Sequence, residues 1–178
     1  RALEVVNWLQ TGLGGRGRVL GTRWLGPCDL LASLDLQNDR LFSASVHAHL
    51  SGRTRPDHVT LRCDLDFPPR FSAEVASERW TLAPADSPPG LGEGPCVQTH
   101  RLGVYVLTSD QHVVQNYREL IRSILNLQPV QVERLLLSPE SPHLELRVNL
   151  NFASPPPPAP LFRLLHRLAD VVPQHSRN

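Results

Sequence analysis

Strict two-residue alternation constrains this chain more than any other feature. Val59, Leu61, Cys63, Leu65 and Phe67 interleave with Thr60, Arg62, Asp64 and Asp66. Successive side chains of a strand point to opposite sides, so this run predicts a strand with one packed face and one wet face. A helix is excluded, because apolar residues at every second position would wrap right around its cylinder. The pattern recurs. Leu30, Ala32, Leu34 and Leu36 alternate with Leu31, Ser33, Asp35 and Gln37, and Asn38-Asp39-Arg40 then supplies turn chemistry. Phe42, Ala44, Val46, Ala48 and Leu50 form the next apolar set, against Ser43, Ser45, His47 and His49. Leu144, Leu146, Val148, Leu150 and Phe152 alternate with Glu145, Arg147, Asn149 and Asn151. Strands wet on one side belong to antiparallel sheets.

Other segments read as helices, further strands and breaks. Residues 1–11 carry Leu3, Val6 and Leu9 on one helical face, with Gly12 where the helix is expected to stop. A Gly-rich turn leads to a strand from Arg18 to Trp24, and another strand is expected from Phe71 to about Leu82. Residues 83–99 are rich in Pro and Gly, which sustain neither a ladder nor a helix, so a loop is expected there. Leu102 to Leu107 reads as a strand. Thr108 and Gln111 have capping-box spacing at the head of a helix bearing Val113, Tyr117, Leu120, Ile121 and Ile124 on one face. Pro129 limits that helix, and Val130 to Leu137 is again a strand. Pro155 to Pro158 form a stiff spacer before a last amphipathic helix.

The expected fold class is therefore α+β. A predominantly antiparallel sheet or sandwich is followed by an α+β unit, with flanking amphipathic helices. The expected division is a helix plus antiparallel region at 1–82, the loop at 83–99, a strand-helix-strand unit at 100–153, and the spacer and last helix at 154–178. All of these fit within one compact domain.

Composition then removes function classes. At 178 residues and 40% apolar content, the chain can bury a real core. A net charge of +1 gives no global field to attract nucleic acid, and no basic stripe interleaved with aromatics stands out. All 18 basic residues are Arg; the absence of Lys removes Schiff-base chemistry and P-loop phosphate transfer. The three cysteines Cys28, Cys63 and Cys96 are odd in number and form no C-x-x-C, and N-glycosylation sequons are absent. A reducing, intracellular setting is the expectation. The chain begins at Arg1 and contains no Met, so it is expected to be a piece of a longer protein. No apolar run approaches the roughly 18 residues that span a bilayer, and no membrane association is expected.

Each candidate site has a competing structural explanation. Gly12, Gly14 and Gly17 match G-x-G-x-x-G, but a dinucleotide site needs a strand before the glycines and a helix after them. Here a helix precedes and a strand follows, so a turn is expected and no cofactor. His47 and His49 share one strand face, which suits two metal ligands, with His58 or Asp64 as conceivable thirds. A pair of histidines on a solvated sheet face explains the same spacing, and no metal is expected. Cys63 falls on the apolar side of its strand, where a packed thiol is usual. Asp64 and Asp66 point the other way, toward expected Arg partners on adjacent strands. No nucleophile motif appears, and no catalytic residue is assigned. The last helix offers Leu161, Phe162, Leu164, Leu165 and Leu168, which either pack on the chain's own sheet or contact a partner subunit. They are the candidate partner-binding residues.

One stretch resembles a known family. The strand and turn Leu102-Gly103-Val104-Tyr105-Val106-Leu107-Thr108-Ser109-Asp110-Gln111, leading into a helix with Leu120-Ile121-Arg122, resembles the late region of the Fanconi anaemia group B protein. A second echo runs from Cys28 through Leu34-x-Leu36 and a polar turn to the strand at Leu41. The Arg- and Pro-rich composition is closer to the group B protein's large Fanconi-anaemia-associated partner. The resemblance implies a nuclear, non-catalytic scaffold in a multi-subunit ubiquitin-ligase complex acting in DNA interstrand-crosslink repair. It implies a heterodimer with the group B protein and contact with a RING-type ligase subunit. The ligase chemistry belongs to that subunit, so no catalytic residue carries over. Two other readings fit the residues: a β-rich, appendage-type peptide-binding module of trafficking coats, and a lipid-binding sheet.

Overall fold

A computed structural model describes residues 2–50, 57–77, 97–101, 104–108, 131–150 and 155–175. Helix α1 spans Ala2–Leu13 and leads through a glycine turn into β1 (Arg18–Trp24). Strands β2 (Asp29–Asp35), β3 (Leu41–His49), β4 (Asp57–Leu65) and β5 (Ala73–Ser77) follow. The later strands are β6 (Val97–Arg101), β7 (Val104–Thr108), β8 (Gln131–Leu137) and β9 (Leu144–Leu150). Helix α2 spans Ala159–His175.

The strands form one nine-stranded sheet in the order β1-β2-β3-β4-β9-β8-β5-β7-β6. All described pairings are antiparallel. The α+β class is thus observed, as a single sheet rather than a sandwich. The early and late parts of the chain are joined within it. β4 pairs with β9, and β5 lies between β8 and β7.

The register explains the alternation. Ala48, Val59 and Val148 align across β3, β4 and β9, as do Val46, Leu61 and Leu146. Cys63 faces Leu144, and Leu135 sits beside Leu146 on β8. These side chains belong to one buried cluster that also holds Val5, Leu9, Leu161, Leu165 and Leu168 of the two helices. The helices thus cover the apolar face. On the opposite face the strands are cross-linked by charge: Arg62 Nε lies 2.8 Å from Glu145 Oε2, Arg134 Nε 2.7 Å from Glu74 Oε1, and Arg147 Nε 3.0 Å from Glu133 Oε2.

Five expectations shift. The face of α1 that packs carries Val5, Trp8, Leu9 and Leu13, while Leu3 is 70% exposed. Gly12 lies inside α1; the helix stops at Gly14 and Gly15, whose φ values of 55° and 78° are left-handed. Phe42 is 46% exposed and Leu41 is buried instead. An irregularity between Phe42 and Ser45, with Ser43 at φ 51°, inverts the alternation there. Phe67 lies past the end of β4 and is exposed. The end of the expected loop, from Val97 to Thr99, belongs to β6. The rest of that loop from 83 to 96, the helix after Thr108 and Phe152 lie outside the described residues.

Candidate functional site

The five candidate partner-binding residues lie in the chain's own core. Leu161, Phe162, Leu164, Leu165 and Leu168 are each at most 3% exposed. The helix forms because apolar residues recur at three- and four-residue spacing, and that stripe seats against the sheet and α1. Phe162 is held over Gly12, where a hypothetical Cβ would fall 2.5 Å from Phe162 Cε2. Trp8 Nε1 donates to the Pro156 carbonyl at 2.7 Å and fixes the chain leading into the helix. Of the two alternatives for this stripe, packing on the chain's own sheet is the one seen here: its apolar area is removed from water within this fold. Contact with a partner through them would require α2 to leave the sheet. What α2 presents outward is Arg163, Arg167 and Asp170.

His47 and His49 do share the polar face, and they converge on an unforeseen group. Asp29 Oδ1 lies 3.1 Å from His47 Nε2 and 2.9 Å from His49 Nδ1. The Asp29 carboxyl is held below the usual carboxylate range, chiefly by its hydrogen bond with His49, against an opposing desolvation effect. His49 also stacks on His58 of β4, with ring centroids 5.1 Å apart. The cluster follows from register, since Asp29, His49 and His58 are directly opposed across β2, β3 and β4. Its ring-to-carboxylate and ring-to-ring contacts tie strands together. Among the described residues, no group of three His, Cys, Asp or Glu side chains has an arrangement that holds a metal ion.

Cys63 is buried, and burial pushes its thiol up to about 12, with Asp64 adding to the effect. Such a thiol stays protonated and is a poor nucleophile. Among the described residues, Asp64 lies beside a histidine rather than the expected Arg. Its Oδ1 lies 3.6 Å from His143 Nδ1, an atom already accepting the Leu65 N–H at 3.0 Å. Asp66 is exposed, and its backbone N–H donates to the Arg40 carbonyl. Gly12 lies in the last turn of α1, and Gly14 and Gly17 lie between that helix and β1.

Two surface features were missed by sequence reasoning. The first is strand β1, which ends the strand order and pairs only with β2 among the described residues. Trp24 sits opposite buried Leu30 and so projects on the helix side, yet it is 53% exposed. Leu25 is 53% exposed, and Leu20, at a register irregularity, is 59% exposed. Apolar residues in a strand usually signal burial, so no sequence signal separates this edge from an interior strand.

The second is a basic cleft of about 450 Å³, lined by Gly15, Arg16, Gln37, Arg163, His166 and Arg167. It brings the turn after α1, the end of the β2 segment and the outward stripe of α2 together. Asn38 positions the imidazole. Asn38 Oδ1 accepts the Arg40 N–H at 2.9 Å, which directs Nδ2 at His166 Nδ1, 2.7 Å away. His166 Nδ1 is therefore the acceptor and Nε2 carries the proton. Desolvation and the nearby Arg16 lower the His166 pKa, which favours the neutral ring. The i, i+4 spacing of Arg163 and Arg167 was legible as one helical face, but their meeting with Arg16 depends on tertiary packing.

No protein-family model matches this chain, and no curated protein matches it. Among solved structures it is similar to the mycobacterial trehalose monomycolate transport factor A, TtfA. The sequence identity is 8%, the TM-score is 0.48, and the match covers 97% of each chain. Similarity at that level carries no functional argument.

Proposed function

We propose that this chain is a non-catalytic assembly domain that docks a partner protein along the β1 edge of its sheet. The observation carrying this reading is the exposure of Leu20 and Trp24 in β1 and of Leu25 just past it, each more than half exposed. An edge strand offers unpaired backbone donors and acceptors to an incoming strand, and apolar side chains beside it add area to the contact. Trp is also the residue type that most often anchors an interface. The chemistry-bearing candidates do not compete with this reading. Cys63 is a protonated core thiol, and the Asp29 carboxylate is engaged by two imidazoles.

The specific form of the proposal is a scaffold in the Fanconi anaemia core complex, nuclear, pairing with the group B protein and contacting a RING-type ubiquitin-ligase subunit. That form rests on the resemblance of the segments at 28–41 and 102–122 alone, and the comparisons add nothing to it. Appendage-type peptide capture would use the same edge. The lipid-binding reading has less support, because α1 and α2 pack on the apolar face that would line a lipid cavity.

Co-expression with the group B protein and the ligase subunit tests the scaffold form. A complex that survives purification, and that Trp24→Arg with Leu25→Arg abolishes, is the expected result. Failure of both proteins to associate would overturn the Fanconi assignment. Retention of short extended peptides by the isolated chain would then point to peptide capture.

A further inference from the structure

We propose that the partner segment docked along β1 is an extended strand in which acidic and apolar residues alternate. This rests on the edge-docking reading and names the chemistry of the partner.

The irregularity in β1 carries the argument. Arg18 and Arg23 are an odd number of positions apart, so in a regular strand they would project to opposite faces. The register shift between Val19 and Gly21 absorbs Leu20 and brings both to one side. Arg18 is opposite Asp35, and Arg23 is opposite Leu31, which in turn faces His47 on the polar side of the sheet. Val19 and Trp24 are opposite buried Leu34 and Leu30 and so lie on the helix side. The edge is thus cationic on one face and apolar on the other.

The cationic face has donors left for an incoming carboxylate. Arg18 reaches Asp35 through Nε at 3.3 Å, with its side chain 71% exposed. The terminal N–H groups of its guanidinium fork can serve a second acceptor. Arg23 is exposed, and among the described residues it makes no ion pair. Its diagonal neighbours on β2 are Ser33 and Asp29. Asp29 is engaged by His47 and His49, and those imidazoles, not Arg23, are the groups that hold its carboxyl low.

Charges and a bulge on an edge strand oppose pairing with strands of like charge. A second copy of this chain would set its own Arg18 and Arg23 beside these on the same face, which disfavours self-pairing. An acidic strand turns the same feature into attraction. Its acidic residues reach Arg18 and Arg23, its alternate apolar residues lie beside Val19 and Trp24, and its backbone pairs with β1.

The test titrates fluorescein-labelled peptides of 7 residues, the length of β1, into the full chain and reads anisotropy. One peptide alternates Glu and Val, a second has Thr in place of Glu, and a third is the Glu-Val peptide with its backbone nitrogens methylated. Saturable binding of the Glu-Val peptide is expected. Arg23→Glu should weaken it about fivefold or more, through one attraction lost and one repulsion of similar size gained. Arg70→Glu, at an exposed position before β5 and distant from β1 in the strand order, should leave it unchanged. The Thr-Val peptide should bind more weakly, and the methylated peptide not at all. Equal binding of the Thr-Val peptide, or Glu-Val binding that Arg23→Glu leaves intact, overturns the acidic preference while docking at β1 stands. Glu-Val binding that survives methylation is contact without strand pairing and overturns both. Absence of binding by either unmethylated peptide overturns the proposal, and the co-expression test of Trp24→Arg with Leu25→Arg then judges the edge alone. A peptide-independent dimer that protects β1 from exchange would assign the edge to a second copy and overturn the proposal as well. Unchanged thermal midpoints in the variants separate loss of the contact from loss of the fold.

Discussion

Gly12 sets how closely the two helices approach. A methyl group there would fall 2.5 Å from Phe162 Cε2 and 2.7 Å from Pro158 Cβ, well inside van der Waals contact. Gly12→Ala should gain up to about 1 kcal/mol of helix propensity. It should lose about 1–3 kcal/mol to overpacking, so the net change is destabilising. Urea denaturation reads this directly, and a stabilised variant would refute the contact. The same residue shows a limit of sequence reading. Gly12 carries a helix-stop signal by type, and only the position of Phe162 reveals its packing role. Cys63 is the opposite case, since its place on the apolar side of an alternating strand was legible. With its thiol pushed up to about 12, it should resist iodoacetamide at neutral pH while half-buried Cys28 reacts. Peptide mapping of a Cys96→Ser variant distinguishes the two, and equal labelling rates would contradict the burial.

Strands were readable where alternation was unbroken, as in β4 and β9. They were misread where one residue breaks phase. The irregularity in β3 puts Leu41 into the core and Phe42 into solvent, and no local residue type announces it. Cross-strand partners were equally hidden. Asp29 was not identified from sequence because its link to His47 and His49 exists only in the β2–β3 register. That link makes a prediction about strand pairing. Asp29 has a folded pKa below its ordinary value of 3.8, so its contribution to stability is fully present above the unfolded value. It is lost as pH falls through the lowered folded value. Between about pH 5 and about pH 2, the urea midpoint should fall more steeply in the parent chain than in Asp29→Asn. Parallel profiles would show that the cluster does not couple to folding. For α2, the apolar stripe was plain in the sequence, and its destination was not: the same stripe suits a partner's surface or the chain's own sheet.

At the scale of the molecule, the antiparallel class followed from the one-sided strands, but the strand order could not. β5 inserts between β8 and β7, and β4 joins β9, pairings set by which apolar faces meet rather than by any local signal. Among the described residues the result is a sheet covered by α1 and α2 on one face and charge-linked on the other, with β1 ending the strand order. A strand that pairs only with β2 among the described residues, with Trp24 at its end and Leu25 just past it, is the property on which the proposed function rests. Hydrogen–deuterium exchange of β1 measures it most directly, comparing the chain alone with the chain mixed with its proposed partner, the group B protein. Strand addition predicts that amides between Arg18 and Trp24 gain protection in the complex, while β9 in the sheet interior is unchanged. A stable complex in which β1 exchanges as fast as in the free chain would contradict edge docking.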